Sequence, residues 1–246
     1  MKSKTILALA MALCMSVSVA GCGSSDSSSG GSDSSSGGSG SNTAASAGQK
    51  GSGLPSDITD NLYDQRARFG SEVLGVPVSV GDLEDAGWVC KSPDNTVSGK
   101  KGCDIDFEKD SQLITAHVYN NAEEGSGAVK VGSDEGKSSL TVTYISMLSV
   151  LNDDGTVKSG KIALPKGIET GATIEQVKAA YGEPAKTKET YAPGGGNRDG
   201  FVYTYQESGK KSYVELIFKG DGSGSKIAKE STVKLQGVKI CHSLSD

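Results

Sequence analysis

The chain has little of what catalytic and nucleic-acid-binding proteins need. It holds two histidines, one tryptophan and only 5% aromatic residues. Neither His117 nor His242 lies in a His-x-x-x-His or Gly-x-Ser-x-Gly context, and Ser98-Gly99-Lys100-Lys101-Gly102 lacks the upstream glycine of a phosphate-binding loop. These gaps remove metalloprotease, nucleophile-elbow and nucleotide-triphosphate readings. Basic residues are outnumbered, 25 Lys and Arg against 30 Asp and Glu, with no basic stripe. Nucleic acid and anionic headgroups are therefore excluded as partners on electrostatic grounds. No Cys-x-x-Cys pair exists to hold zinc. Asn152-Asp153-Asp154-Gly155 lacks the sixth-place glycine and twelfth-place glutamate of a calcium loop and reads as a tight turn. Pro193 to Gly200 (PGGGNRDG) follows no strand-then-helix arrangement, so it reads as a hairpin loop, not a phosphate cradle. Asp104, Asp106 and Glu108 alternate with Ile105 and Phe107, as on a solvated strand face. The expectation is a protein with no cofactor, no metal and no enzymatic activity.

What is present begins with an address. Lys2 and Lys4 precede a mostly apolar run from Ile6 to Val19, too short to span roughly 30 Å of hydrocarbon but laid out like an export signal. The run closes on Val19-Ala20-Gly21-Cys22, which resembles a bacterial lipobox. The resemblance implies a signal peptide at 1–21, removed on export, and a diacylglyceryl group on Cys22. Two acyl chains anchor a protein stably where one does not. The implied location is extracytoplasmic, lipid-anchored to the bacterial membrane. Residues 22–53 combine that cysteine with a Gly/Ser-rich stretch without aromatic residues, Val, Ile or Leu. Such a stretch cannot bury a core, and as a flexible coil it reaches on the order of 30 Å. After Cys22 no run approaches eighteen apolar residues.

Roughly 190 residues remain from Leu54, enough for one ordinary domain or two small ones. Cys90, Cys103 and Cys241 fall in this part, where export permits disulfides. Cys90 and Cys103 flank a turn-rich loop, so their pairing is the first expectation; pairing of either with Cys241 competes with it. Strand patterns run through residues 73–79, 88–90, 103–107, 112–120 and 139–151, defining a β-rich unit over 54–160. The polar residues 55–72 read as a short helix or as more of the tether.

A second unit covers 161–246. Strand-like Lys161-Ile162-Ala163-Leu164-Pro165 precedes Thr173, a candidate N-cap, and Ile174, Val177, Ala180 and Tyr181 share one helical face. Gly182 and Pro184 stop the helix. Three strand candidates follow at 201–206, 212–219 and 229–240. Gly171, Thr173, Val177, Tyr181, Gly182 and Pro184, then Tyr203, Tyr205 and Tyr213, resemble the domain shared by the β-lactamase-inhibitor protein and the small outer-membrane-assembly lipoproteins. Residues 76–88 look like a degenerate copy of the same strand-helix-glycine module. The resemblance implies an α+β fold: antiparallel sheets with short helices packed on one face, in two tandem related units. It also makes a non-catalytic, protein-binding lipoprotein the leading functional reading. A solute-binding or cell-wall-hydrolase-type lipoprotein is the alternative. Tyr203, Tyr205 and Tyr213 are the candidate binding residues; Phe201, Tyr203 and Tyr205 share one face of their strand, either outward for a partner or inward beneath the helix.

Overall fold

The computed structural model describes residues 54–152, 156–191, 198–220 and 228–245. Cys22 and the signal and linker of residues 1–53 lie outside the described residues, as do Asp153, Asp154, Gly155 and residues 192–197 of the glycine-rich loop.

The chain first turns through a 3-10 segment, η1 (Leu62–Asp64), into a hairpin of β1 (Arg66–Phe69) and β2 (Glu72–Gly75). β3 (Val78–Ser79) leads into α1 (Val80–Asp85), closed reciprocally by Ser79 and Asp82 and ended by Gly87 at φ +89°. β4 (Val89–Cys90), β5 (Thr96–Val97), β6 (Gly102–Lys109), β7 (Gln112–Asn120) and β8 (Val129–Lys130) follow. The β6–β7 turn is tight because Asp110 and Ser111 both take positive φ, matching the right-handed twist of the strands they join. α2 (Asp134–Ser139) precedes β9 (Leu140–Leu148), and β10 (Val150–Leu151) pairs with β11 (Val157–Ser159), the Asn152 N–H donating to the Thr156 carbonyl beside them. β12 (Ile162–Leu164), a 3-10 turn η2 (Pro165–Gly167) and β13 (Ile168–Glu169) lead to α3 (Ile174–Tyr181). The N-cap at Thr173 is present and is reinforced by Gln176, while Gly182 ends the helix at φ +82°. Finally come β14 (Lys186–Tyr191), β15 (Arg198–Gln206), β16 (Tyr213–Lys219) and β17 (Lys234–Cys241).

The fold is α+β, as expected. One large antiparallel sheet runs β14-β15-β16-β17-β9-β7-β6-β4, with β3 also pairing β9; a four-stranded sheet runs β13-β12-β1-β2. The large sheet repeats a plan. A short helix ended by a positive-φ glycine precedes four antiparallel strands (α1, then β4, β6, β7, β9), and the same order recurs (α3, then β14 to β17). The last strands of the two runs, β9 and β17, meet antiparallel at the centre. The two halves thus share one sheet, and residues 48–246 form one compact unit. The 160/161 boundary is bridged as well, since β12 pairs with β1.

Alternation decides which face is core. Along β7, Ile114, Ala116 and Val118 are buried while Leu113, Thr115 and His117 point the other way. Along β16, Val214, Leu216 and Phe218 are buried in the same manner. This inner face joins Val80 and Leu83 of α1, Ile174 and Val177 of α3, and Phe69, Leu74, Ile162 and Leu164 of the small sheet in one core. Lys109 ties the two sheets together, its Nζ 2.7 Å from Glu72 Oε1 and 2.6 Å from the Ala86 carbonyl. The helices lie on the inner side, leaving the opposite, outer face of the large sheet to be considered on its own.

Candidate functional site

Strand register lines up the outer face in three rows. The first row runs Gln206, Tyr213, Cys241, Tyr144, His117, Asp104 across β15, β16, β17, β9, β7 and β6. The second runs Thr204, Glu215, Lys239, Ser146, Thr115, Asp106; two residues beyond it lie Val202, Ile217, Gly237 and Leu148 in register across β15, β16, β17 and β9, and Leu113, Glu108 and Val89 in register across β7, β6 and β4.

A β-bulge puts Tyr144 in the first row. His117 pairs with Tyr144 but Val118 pairs with Val142, so Thr143 is an extra residue on β9. Val142 and Thr143 are both buried, and alternation resumes with Tyr144 outward. A strand without the bulge would have sent Tyr144 into the core; re-aiming a side chain in this way is a common effect of bulges.

Around Tyr144 the side chains form a lateral stack. Lys239 Nζ lies 4.0 Å from the Tyr144 ring centre and 6.0 Å from that of Tyr213. On its other side Tyr144 stacks on the His117 imidazole, centroids 5.2 Å apart and planes within 17°. His117 Nδ1 then meets Asp104 Oδ1 at 2.6 Å. Three rings and two charged groups line up across five strands, so cation–π attraction, ring stacking and a charge-assisted contact hold side chains that would otherwise be mobile. Burial first, and then the nearby Asp104 carboxylate, pushes the Tyr144 phenol far above its ordinary value. Burial, followed by Cys241, does the same to Tyr213. Both hydroxyls remain neutral hydrogen-bonding groups at any physiological pH.

Beside this stack the third row is apolar. Leu148 is 59% exposed, Leu113 51% and Val89 63%. Isolated exposed apolar side chains are ordinary, but here Leu148 lies in register with Val202 and Ile217, and Leu113 and Val89 carry the same face on across β7 and β4. Glu108, 2.7 Å from Lys91, interrupts the row near its β4 end. Asp104 and Asp106 are exposed on β6, as the alternation predicted.

The remaining expected site residues fall elsewhere. Tyr203 and Tyr205 are each 1% exposed, so the outward, partner-binding reading of these two is corrected. In register they face Leu216 and Val214, and facing residues of a ladder share a side. Tyr205 donates to the Gly182 carbonyl at the end of α3, Tyr181 packs edge-on against its ring, and Tyr203 donates to Glu230 Oε1. Tyr213 is half-buried on the outer face and keeps its candidacy. The Cys90–Cys103 pairing is corrected too, since none of the three described cysteines is disulfide-bonded. Cys90 faces Phe107 and Cys103 faces Val118, four residues apart along β6. That is about 13 Å at strand rise, well beyond the roughly 7 Å a disulfide spans. Cys241 is on the other face of the sheet. Burial raises the thiol pKa of both Cys90 and Cys103, which makes them poor nucleophiles.

Chemically the outer face can bind but lacks the parts of a nucleophilic site. Cys241 and His117 flank Tyr144 on either side, two strand spacings or about 10 Å apart, too far for a thiolate–imidazole pair. Among the described residues no cluster of His, Cys, Asp and Glu is placed to hold a metal. Sequence reasoning missed Tyr144, Lys239, Leu148 and Leu113. Leu113 was within reach, because it alternates with the buried Ile114, Ala116 and Val118. No protein-family model matches the chain, and no curated protein or solved structure matches it either.

Proposed function

We propose that this chain is a non-catalytic lipoprotein of the bacterial cell envelope, anchored through Cys22, that binds another protein across the outer face of its large sheet. The observation that carries the reading is the lateral stack from Tyr213 to Asp104 lying beside an exposed apolar row. Preordered aromatic and cationic side chains next to apolar area are the ingredients of interface hot spots. A Gly/Ser tether with a reach on the order of 30 Å would let that face meet a partner at or near the membrane. The solute-binding alternative is less well supported, because the cavity among Tyr63, Gln65 and Tyr213 measures about 220 Å³, below the roughly 300–1,000 Å³ of drug-sized ligand sites.

A photo-crosslinking residue at Leu148 or Leu113, in cells that express the chain, tests the face. Discrete adducts are expected from both positions and not from Glu175, which is exposed on α3. Equal adducts from Glu175, or none from either leucine, would defeat the proposal. The anchor is tested separately: Cys22→Ser should leave the detergent phase, and unchanged partitioning would remove the lipid from the account.

A further inference from the structure

Opposite charges stand at the two ends of the outer face. Asp104, Asp106 and Glu108 form an acidic column on β6, and Lys186 and Lys188 a basic one on β14. Lys186 pairs in register with Thr204 and Lys188 with Val202, so both lysines share the outer side with those residues. The strand order β14-β15-β16-β17-β9-β7-β6 puts the two columns three strands to either side of β17. We propose that the partner of this face is a second copy of the chain, packed sheet to sheet about a two-fold axis along β17. The inference rests on the reading of the outer face as a protein-binding surface and names its partner.

The charges select the axis. A two-fold axis lying between the sheets and along the strands reverses strand order, so β14 of each copy faces β6 of the other. An axis across the strands keeps the order and sets acid over acid and lysine over lysine. Two of these charges lack an opposite charge within their own chain. Among the described residues the Asp106 carboxylate accepts from the Thr115 hydroxyl at 2.8 Å but meets no cation, and Lys186 makes no ion pair. Sheets packed face to face cross at about 30°, which slides their ends by about one row. The acidic column as a whole therefore receives the lysines.

The centre of the face suits the same arrangement. Ile217 on β16 and Leu148 on β9 lie one strand to either side of β17, and Val202 on β15 and Leu113 on β7 lie two, so apolar side chains meet one another. Leu148 reaches across to the axis itself, since a Cβ on Gly237 of β17 would come within 2.5 Å of its Cδ2. Lys239 Nζ leans away from the axis toward β9, 4.0 Å from the Tyr144 ring centre, where the symmetry places Glu215 of the second copy. Strands about 4.8 Å apart and rows about 6.8 Å apart give a patch of roughly 29 Å by 17 Å. Two copies then cover about 1,000 Å² in all, where specific interfaces begin.

Sedimentation velocity tests the dimer on residues 23–246, the exported chain without its lipidated cysteine, over about 1–500 µM. A monomer–dimer equilibrium is expected in that range, shifting toward monomer as salt rises. Asp106→Lys and Lys186→Glu each set like charges together at both ends of the dimer, and each should weaken it about tenfold. Combined in one chain they restore opposite charges and should return the affinity to within about threefold of the parent. Both residues are exposed, so the variants should melt with the parent. Leu148→Asp brings two carboxylates together at the axis and should leave monomer only. A chain that stays monomeric at the highest concentration, or a double variant no better than its singles, overturns the proposal. The crosslinking residue at Leu148 separates it from the reading beneath it. Adducts of twice the chain's mass are expected; adducts with other proteins alone would overturn the second copy and leave the binding face standing. An absence of adducts would remove both.

Discussion

Truncating Tyr203 should unfold the protein at a markedly lower temperature, by an amount its surroundings allow to be worked out. The ring is 1% exposed and packs edge-on against Phe218, centroids 5.2 Å apart. Lys178 Nζ sits 5.5 Å from the ring centre, and the hydroxyl donates to Glu230 Oε1 at 2.7 Å. Removing a buried aromatic side chain costs about 3–5 kcal/mol, from lost transfer energy and the cavity left behind. In a domain of this size each kcal/mol moves the melting temperature by roughly 2–4 °C, so Tyr203→Ala should lower it by about 6–20 °C. Tyr203→Phe keeps the packing and gives up one half-exposed hydrogen bond, which predicts about 1 kcal/mol or roughly 2–4 °C. Leu148→Ala, on the outer face, should change stability by no more than about 0.5 kcal/mol. Circular-dichroism melts of the three variants decide the matter. A drop under about 3 °C for Tyr203→Ala, or equal drops for the Ala and Phe variants, would refute the placement of this side chain in the core.

Three further outcomes follow from the same geometry. The chain from Leu54, recovered from an oxidising compartment and unfolded without reductant, should titrate three thiols; a count of one would mean that Cys90, Cys103 or Cys241 finds a partner that the strand register denies it. Burial pushes Tyr205 up to about 12 and raises Tyr144, Tyr181, Tyr203 and Tyr213 as well, whereas unfolded phenols ionise near 10. The stability these groups contribute is therefore complete below about pH 10 and is lost as pH rises toward 12 and beyond, so tyrosinate absorbance should lag and then climb with unfolding. Ionisation of every tyrosine near pH 10 in a still-folded protein would contradict it. Gly200→Ala places a Cβ 2.0 Å from the Phe218 carbonyl oxygen on the neighbouring strand, so the ladder must part. About 1–3 kcal/mol of destabilisation is expected in denaturant titrations, and an unchanged midpoint would show that the strands are not that close.

Legibility in the sequence tracked the strength of the local pattern. β7 and α3 were readable because one period governs each of them: two residues along Gln112–Asn120, and 3.6 along Ile174–Tyr181 with Thr173 and Gly182 as its ends. β14 was not, since Lys-Thr-Lys-Glu-Thr-Tyr is an edge strand with almost every residue exposed and has no apolar beat to detect. β1 lay in a stretch that read as polar. Its inward residues Ala67 and Phe69 make sense only beside β12, nearly a hundred residues later, and no local window contains that pairing. Tyr203 and Tyr205 were readable in principle. Once Val214, Leu216 and Phe218 are taken as core, the hairpin register from Gln206 and Tyr213 puts the two tyrosines on the same side.

The outer face resists sequence reasoning for a different reason. From Leu140 to Leu148 every residue suits a strand, and plain alternation from Leu140 and Val142 carries Tyr144 inward. The extra residue at Thr143 reverses the parity, so Tyr144, Ser146 and Leu148 face out while Ile145 and Met147 face the core. A one-residue offset exchanges the two faces of everything downstream. Lys239, Tyr213 and His117 would otherwise have no ring between them, and Leu148 would be missing from the apolar row. The lateral stack and the apolar row both depend on that one irregularity of the backbone.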